Sequence, residues 1–269
     1  MMLVDARNIA LDVPDMGHQA LLGRRRKLRI LKGVSLSIAR GETVGLVGES
    51  GSGKTSLGRS LLRLYEPSEG QLLFDGKDIT HANADALKPM RRRMQMIFQD
   101  PQSSLNPRHT IGGIIATALK LHGLDCSKPA IAAILDRVGL PASAMARYPH
   151  QLSGGQRQRV GIARAIALKP DFVVADEIVS GLDVSTQAQV LDLLKGLRAE
   201  MGLALAFISH DLSVVRSLCD RVVIMKAGEI VEEGKTADVF AAPRTAFART
   251  LIDSIPLPEI RPGWLDMAG

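Results

Sequence analysis

Eight consecutive residues carry the most specific chemistry in this chain: Gly48, Glu49, Ser50, Gly51, Ser52, Gly53, Lys54 and Thr55. They satisfy the pattern G-x-x-x-x-G-K-[ST] in full. Closely spaced glycines let successive backbone N–H groups curl inward around phosphate oxygens. A helix starting at that point adds the positive end of its dipole. Lys54 is placed to reach β- and γ-phosphates, and the Thr55 hydroxyl to ligate Mg²⁺, with Ser56 next along the helix start. The pattern requires a strand before it and a helix after it. Residues 42–47 read as a short buried strand, and Leu57, Leu61, Leu62 and Leu64 recur at helical spacing. A glycine turn that merely preceded Lys-Thr would lack this context. Nucleotide binding is the expectation.

Three further candidates stand at the ends of apolar runs. Residues 172–175 read as a buried strand ending in Asp176 and Glu177, and open α/β sheets bind ligands at the carboxyl ends of their strands. Asp176 offers Mg²⁺ a hard oxygen ligand beside Thr55. Glu177, one residue on, can aim at a water in line with the γ-phosphate and orient or deprotonate it. An acidic pair alone would read as solvated surface; the apolar strand and the upstream loop favour the functional reading. His210 follows another strand, 206–209, and Gln99 ends the strand 94–98. A lone histidine is more often structural, but this sheet-edge position suits a γ-phosphate contact. The Gln99 amide can touch Mg²⁺ or the attacking water. Residues 152–159 open a long helix, with Ser153 and Gln156 spaced as a capping box. Free N–H groups and a hydroxyl there make a second anion site.

The intervening elements alternate between strand and helix, which implies a parallel sheet covered on both faces. Residues 30–39 alternate as strand of a small half-buried sheet, and 71–79 read as a hairpin closed at Asp75-Gly76. From 101 to about 151 the pattern changes to helices separated by prolines, at 111–121, 129–138 and 142–147. This reads as a helical insertion in the α/β core. After 176 come a helix at 186–200, a strand at 203–209, a helix at 212–218, a strand at 221–225 and a hairpin piece at 228–234. The proline-rich end from Pro256 is expected to be loosely held.

Composition narrows the classes. The chain has 269 residues, 46% hydrophobic, and a net charge of +6, enough for one large α/β domain. No apolar stretch approaches the length of a membrane span, and the N-terminus lacks the pattern of a signal peptide. Cys126 and Cys219 are too few for a disulfide framework and lack metal-ligand spacing. A reducing, cytoplasmic setting is expected. The basic runs at 24–27 and 91–93 suit a solvated loop or a face near anionic lipid better than a nucleic-acid patch.

Taken together, the motifs resemble those of the ATP-binding subunit of an ABC transporter, over nearly the whole chain. Residues 48–55 match Walker A, Gln99 the Q-loop, 152–156 the signature motif, and 172–176 Walker B with Glu177 as catalytic glutamate. Residues 180–183, ending in Asp183, match the D-loop, and His210 the switch histidine. The resemblance implies an α/β P-loop NTPase fold of the ABC ATPase type. That fold has a RecA-like parallel-sheet core, a small antiparallel β subdomain and a helical signature subdomain at about 100–165. The ATPase domain would span 1–250, and 251–269 would be a C-terminal extension. Residues 98–108 and 148–155 narrow the resemblance to the dipeptide/oligopeptide importer branch, which includes nickel importers.

The family mechanism implies two ATP-binding subunits paired head to tail. Ser153, Gly154, Gly155 and Gln156 of one would then cap ATP held by the other, with Asp183 beside them. It also implies transmembrane permease subunits, a solute-binding protein acting indirectly, and a peripheral location on the cytoplasmic side of a bacterial inner membrane. Three departures are visible. Ile178 stands where the family has proline, which loosens a turn but spares both carboxylates. No aromatic residue precedes Tyr65, so the usual adenine-stacking ring has no counterpart. The branch's C-terminal cysteine cluster is absent, so no iron–sulfur centre is expected. A soluble ABC ATPase acting on nucleic acid or ribosomes would bring a second ATPase domain, a coiled coil or zinc-binding cysteines. The sequence has none, and no nucleic-acid partner is expected. An exporter subunit fits the 105–108 stretch less well than an importer.

Overall fold

The computed structural model describes residues 2–14 and 27–254. The arginines at 24–26 and the tail from Pro256 lie outside the described residues. The first half of the chain runs Met2–Pro14 (β1), Lys27–Ala39 (β2), Thr43–Gly48 (β3), Lys54–Leu61 (α1), Glu69–Phe74 (β4) and Lys77–Asp78 (β5). It continues through Ala84–Arg93 (α2), Met94–Ile97 (β6), Pro101–Ser104 (α3), Ile111–Leu121 (α4) and Lys128–Arg137 (α5). Two 3-10 turns, Ala142–Ala146 and Pro149–Gln151, lead into Gly154–Ile166 (α6). Then follow Phe172–Asp176 (β7), Val184–Met201 (α7), Ala204–Ile208 (β8) and Leu212–Leu218 (α8). Arg221–Lys226 (β9), Glu229–Lys235 (β10), Thr236–Ala241 (α9) and Ala246–Asp253 (α10) complete the described chain.

Two sheets result. The larger has strand order β10-β9-β3-β8-β7-β6 and is parallel except for the β9–β10 hairpin. Its strands are apolar at nearly every position because both faces are covered. Successive side chains point to opposite faces, and the burial pattern follows. Val173, Ala175, Leu205, Phe207, Val222 and Ile224 join the core beneath α6, α7 and α8. Phe172, Val174, Ala206, Ile208, Val223 and Met225 join a second core with α1 and the smaller sheet. That smaller sheet is antiparallel, in the order β2-β1-β4-β5. Its β4–β5 turn is closed at Asp75-Gly76, as the sequence predicts.

The helical insertion forms as expected. Thr110 and Ser127 cap α4 and α5 by accepting from the N–H groups of Gly113 and Ala130. Ile111, Ile115, Leu135, Val138 and Leu140 pack into one core with Val160 of α6. At the other end, the buried Glu232 carboxylate accepts hydrogen bonds from Arg244 N, Thr245 N and Thr245 Oγ1. These contacts hold the start of α10 against β10, and the division drawn at residue 250 falls inside that helix. One described member of the two basic runs, Arg93, and the neighbouring Arg29 are held in ion pairs. Arg29 contacts Asp12 and Glu69, and Arg93 contacts Asp75 and Asp171. No described helix is long and apolar enough to cross a membrane.

Candidate active site

The parallel order β3-β8-β7-β6 brings four strand ends to one edge, and each delivers a residue singled out in the sequence. β3 ends in Gly48, where the chain turns at φ 145°. A Cβ at Gly48 would stand 2.1 Å from the Met225 carbonyl oxygen, so only glycine lets the loop pass behind β9. The loop then enters α1 through Gly53, left-handed at φ 101°. No side chain caps α1, so its first N–H groups are left facing the loop's concavity.

Lys54 is 6% exposed. Its Nζ donates to the Gly48 and Glu49 carbonyls, both at 2.8 Å, bridging the loop from within. Burial pulls the Lys54 pKa down, while Glu177 and Asp176 act in the opposite direction. Thr55 Oγ1 donates to Asp176 Oδ1 at 2.9 Å. Asp176 is 3% exposed, and burial pushes its pKa up against the Thr55 hydrogen bond and the charge of Arg59.

Glu177 adopts the left-handed region at φ 47°, which is costly for a side chain with a Cβ. Its N–H donates to the Ile208 carbonyl at 2.9 Å, tying the turn to β8. Ile178 and Val179 behind it are 1% and 4% exposed. Their packing holds the turn that a proline ring would otherwise restrict, so the exchange of proline for isoleucine leaves the turn formed. Glu177 Oε2 accepts from Gln99 Nε2 at 2.8 Å and lies 3.7 Å from His210 Nδ1. Three of the predicted residues, from three strand ends, therefore meet at one carboxylate.

A cavity of about 380 Å³ opens beside them, lined by Ile30, Ser50, Gly51, Gly53, Lys54, Thr55, Ser56, Gln99 and Glu177. Ile30 is the lining residue that sequence reasoning did not single out as a site residue. Its signal was weak: an apolar residue in a strand, only partly buried. Among the described residues, no aromatic side chain lines this cavity. The residues present fit a polyphosphate and a hard cation. The helix start is uncapped, and the Ser52 hydroxyl in the loop is buried with no hydrogen-bond partner. Thr55, Asp176 and Gln99 supply the oxygen donors that Mg²⁺ prefers.

The remaining predicted residues meet one another elsewhere. Ser153 caps α6 by accepting from Gln156 N, and Gln156 Oε1 accepts from Ser153 N, completing the capping box. Asp183 caps α7 through Thr186 N, Thr186 Oγ1 and Ser185 Oγ. These donors hold its pKa well below the usual carboxylate range. The two helix starts touch: a Cβ at Gly155 would stand 2.4 Å from Thr186 Cγ2. Among the described residues, Ser153, Gly154, Gly155, Gln156 and Asp183 neither line the phosphate-loop cavity nor hydrogen-bond to it.

A family model described as ABC transporter matches residues 31–180, and the chain belongs to that family. Its fold is that of an ABC ATPase cassette, an ATP-binding and ATP-hydrolysing unit coupled to transport. A Brucella ovis protein provisionally named a peptide import ATP-binding protein is 52% identical over 239 residues, 88% of this chain and 75% of that protein. The glutathione import ATP-binding protein GsiA of Salmonella paratyphi A is 46% identical over 87% of this chain, which spans 38% of GsiA. Among solved structures, the dimeric post-hydrolysis state of the ATP-binding cassette MJ0796, bound to ADP and Pi, superposes with a TM-score of 0.75. It is 30% identical, with 87% of this chain and 98% of that one covered. CbiO1 of Clostridium perfringens, part of the transporter complex cbiONQ, gives a TM-score of 0.74 at 25% identity, covering 89% and 91%.

Proposed function

We propose that this chain is the ATP-hydrolysing subunit of an ABC importer that energises uptake of peptides or a related small nutrient. The observation that carries the reading is the meeting of Gln99, Glu177 and His210 beside the buried Lys54 and the Thr55–Asp176 pair. The import names of its relatives supply the direction of transport and the class of solute.

In this reading the phosphate loop, 48–55, and Ser56 bind the triphosphate of ATP through backbone N–H groups, and Lys54 turns from the loop carbonyls toward the β- and γ-phosphates. Thr55, Asp176 and Gln99 would hold Mg²⁺, which would supply charge neutralisation at the phosphate oxygens. Glu177 takes a proton from the attacking water. Gln99 fixes that carboxylate by a hydrogen bond, and His210 approaches the γ-phosphate from β8. Ile30 offers the adenine an aliphatic surface in place of an aromatic ring. Ser153 to Gln156, with Asp183 beside them, complete the site of a second ATP-binding subunit, which explains why they converge with each other and not with their own phosphate loop.

The chain acts peripherally on the cytoplasmic face of the membrane, with permease subunits and, indirectly, a solute-binding protein. A groove of about 480 Å³ lined by Lys88, Arg91, Ala118, Leu121, Arg164 and Leu168 supports docking beside the helical subdomain. Leu121 there is 69% exposed. Uptake of labelled peptides in cells lacking this chain tests the reading. Uptake should fall to background and return with the parent chain but not with Lys54→Ala; unchanged uptake overturns peptide import.

A further inference from the structure

Helix α6 carries three arginines, and two are tied to nearby structure. Arg157 Nη1 donates to the Leu152 carbonyl, while Arg159 reaches the Val138 carbonyl and Gln189 Oε1. Arg164, two residues from the helix end, points elsewhere. Its guanidinium carbon stands 5.7 Å from the centroid of the Phe98 ring, and its Nη1 donates to the Ser104 carbonyl at 2.6 Å. Those two contacts bracket residues 98–104. Within that segment Gln99 reaches Glu177, and Leu105 just beyond it is 1% exposed in the core.

Among the described residues Arg164 forms no ion pair with a carboxylate. Burial alone pulls its pKa down, with no acid acting against it. A partly buried guanidinium without an acid costs stability that an apolar side chain of similar length would not. Its stem could be replaced by methionine; its charge and its fork of donors could not. The two contacts it makes, a cation over a ring and a donor to a carbonyl, both use the charged head. Both fall on the segment that presents Gln99.

We propose that Arg164 is a positioning residue for hydrolysis. It clamps the Gln99 segment to the helix that begins at Ser153, so that Gln99 is held in register with Glu177. A thirteen-residue helix is a rigid rod of about 20 Å. Displacement of its Ser153 end is therefore passed to the Gln99–Glu177 pair through Arg164. This inference rests on the reading of Glu177 as the group that handles the attacking water.

The test uses the full chain carrying Arg164→Met, Arg164→Lys or Phe98→Leu. Three quantities are measured: ATP affinity, kcat, and amide hydrogen exchange in peptides covering 98–104 and 48–55. Arg164→Met should lower kcat about tenfold, the loss expected for one unmade hydrogen bond, with ATP affinity within about twofold of the parent. Exchange should quicken over 98–104 and stay unchanged over 48–55. Arg164→Lys, which keeps the charge over Phe98, should recover part of kcat, and Phe98→Leu should quicken exchange over the same segment. Parental kcat and exchange in Arg164→Met would overturn the proposal. So would equal losses in kcat, affinity and thermal stability in both Arg164 variants, the signature of a purely structural residue. If Arg164→Met does not fold, Arg164→Lys and Phe98→Leu decide by the same criteria. Exchange does not depend on turnover, so failure of the Glu177 reading, seen as parental turnover in Glu177→Gln, is distinguishable from failure of this one.

Discussion

Replacing Glu177 by glutamine separates two things the site asks of that side chain. Glutamine keeps the length and an oxygen that can accept from Gln99 Nε2, now at 2.8 Å, but removes the charge and the basicity. The backbone N–H to the Ile208 carbonyl and the buried Ile178 and Val179 are untouched, so the turn should stay formed. A positioned general base contributes about 10²–10⁴ in rate, or roughly 2.7–5.4 kcal/mol of barrier. Gln99→Ala deletes a hydrogen bond to that charged group, about 1.5–3 kcal/mol or roughly ten- to a hundredfold, and with it one oxygen donor for Mg²⁺. At saturating Mg²⁺, Glu177→Gln should therefore be the more severe of the two in rate, and it should not weaken ATP binding by more than a few fold. Single-turnover phosphate release with pre-bound nucleotide measures the rate, and titration with a fluorescent ATP analogue measures affinity. Turnover of Glu177→Gln close to the parent, or a loss of affinity matching the loss of rate, would refute the assignment. The same variant, able to bind but not hydrolyse, should shift in solution mass from monomer to dimer with Mg-ATP if this chain's Ser153 end completes its own partner's site.

Other perturbations read different parts of the site. Lys54→Ala removes the buried ammonium that spans the loop, and calorimetry should find most ATP binding lost; retained affinity would remove the phosphate-loop assignment. Ser153→Arg should abolish turnover while leaving nucleotide binding by the monomer intact, because Ser153 does not line its own chain's cavity. Lost binding in that monomer would contradict action in trans. Burial raises the Asp176 pKa, so its ionised form opposes folding above that raised value, and the opposition fades as pH falls through it. Asp176→Asn should accordingly raise the melting temperature of the nucleotide-free chain at neutral pH and lose that advantage on acidification, while turnover disappears. A stability difference that does not change with pH would sink this account.

Residues 48–55 were legible in the sequence because their function is carried by local backbone: glycine conformations, a strand before and a helix after. The same holds for the Ser153–Gln156 capping box, which closes within four residues, and for the helices at 111–121 and 212–218, whose apolar spacing is regular. Asp176, Gln99 and His210 could be picked out because each ends a strand, and strand ends in a parallel sheet share an edge. Other elements left little local trace. β1 pairs with β2 through several register shifts that blur simple alternation, and α2 contains Pro89, a residue that normally argues against a helix interior.

What only the tertiary structure decided is which strand ends become neighbours and what their side chains then do. The order β3-β8-β7-β6 sets Glu177 between Gln99 and His210, across 78 and 33 positions of sequence. It buries Asp176 enough to raise its pKa, and it separates Ser153 and Asp183 from the loop of their own chain. It also brings Ile30 from the smaller sheet to the cavity and Arg164 to Phe98. These are contacts between distant segments, fixed by packing of two cores on a shared sheet, and no local pattern of residues encodes them. The chemistry available to the chain is written in its motifs; the geometry that joins those motifs comes from the order in which the sheet was assembled.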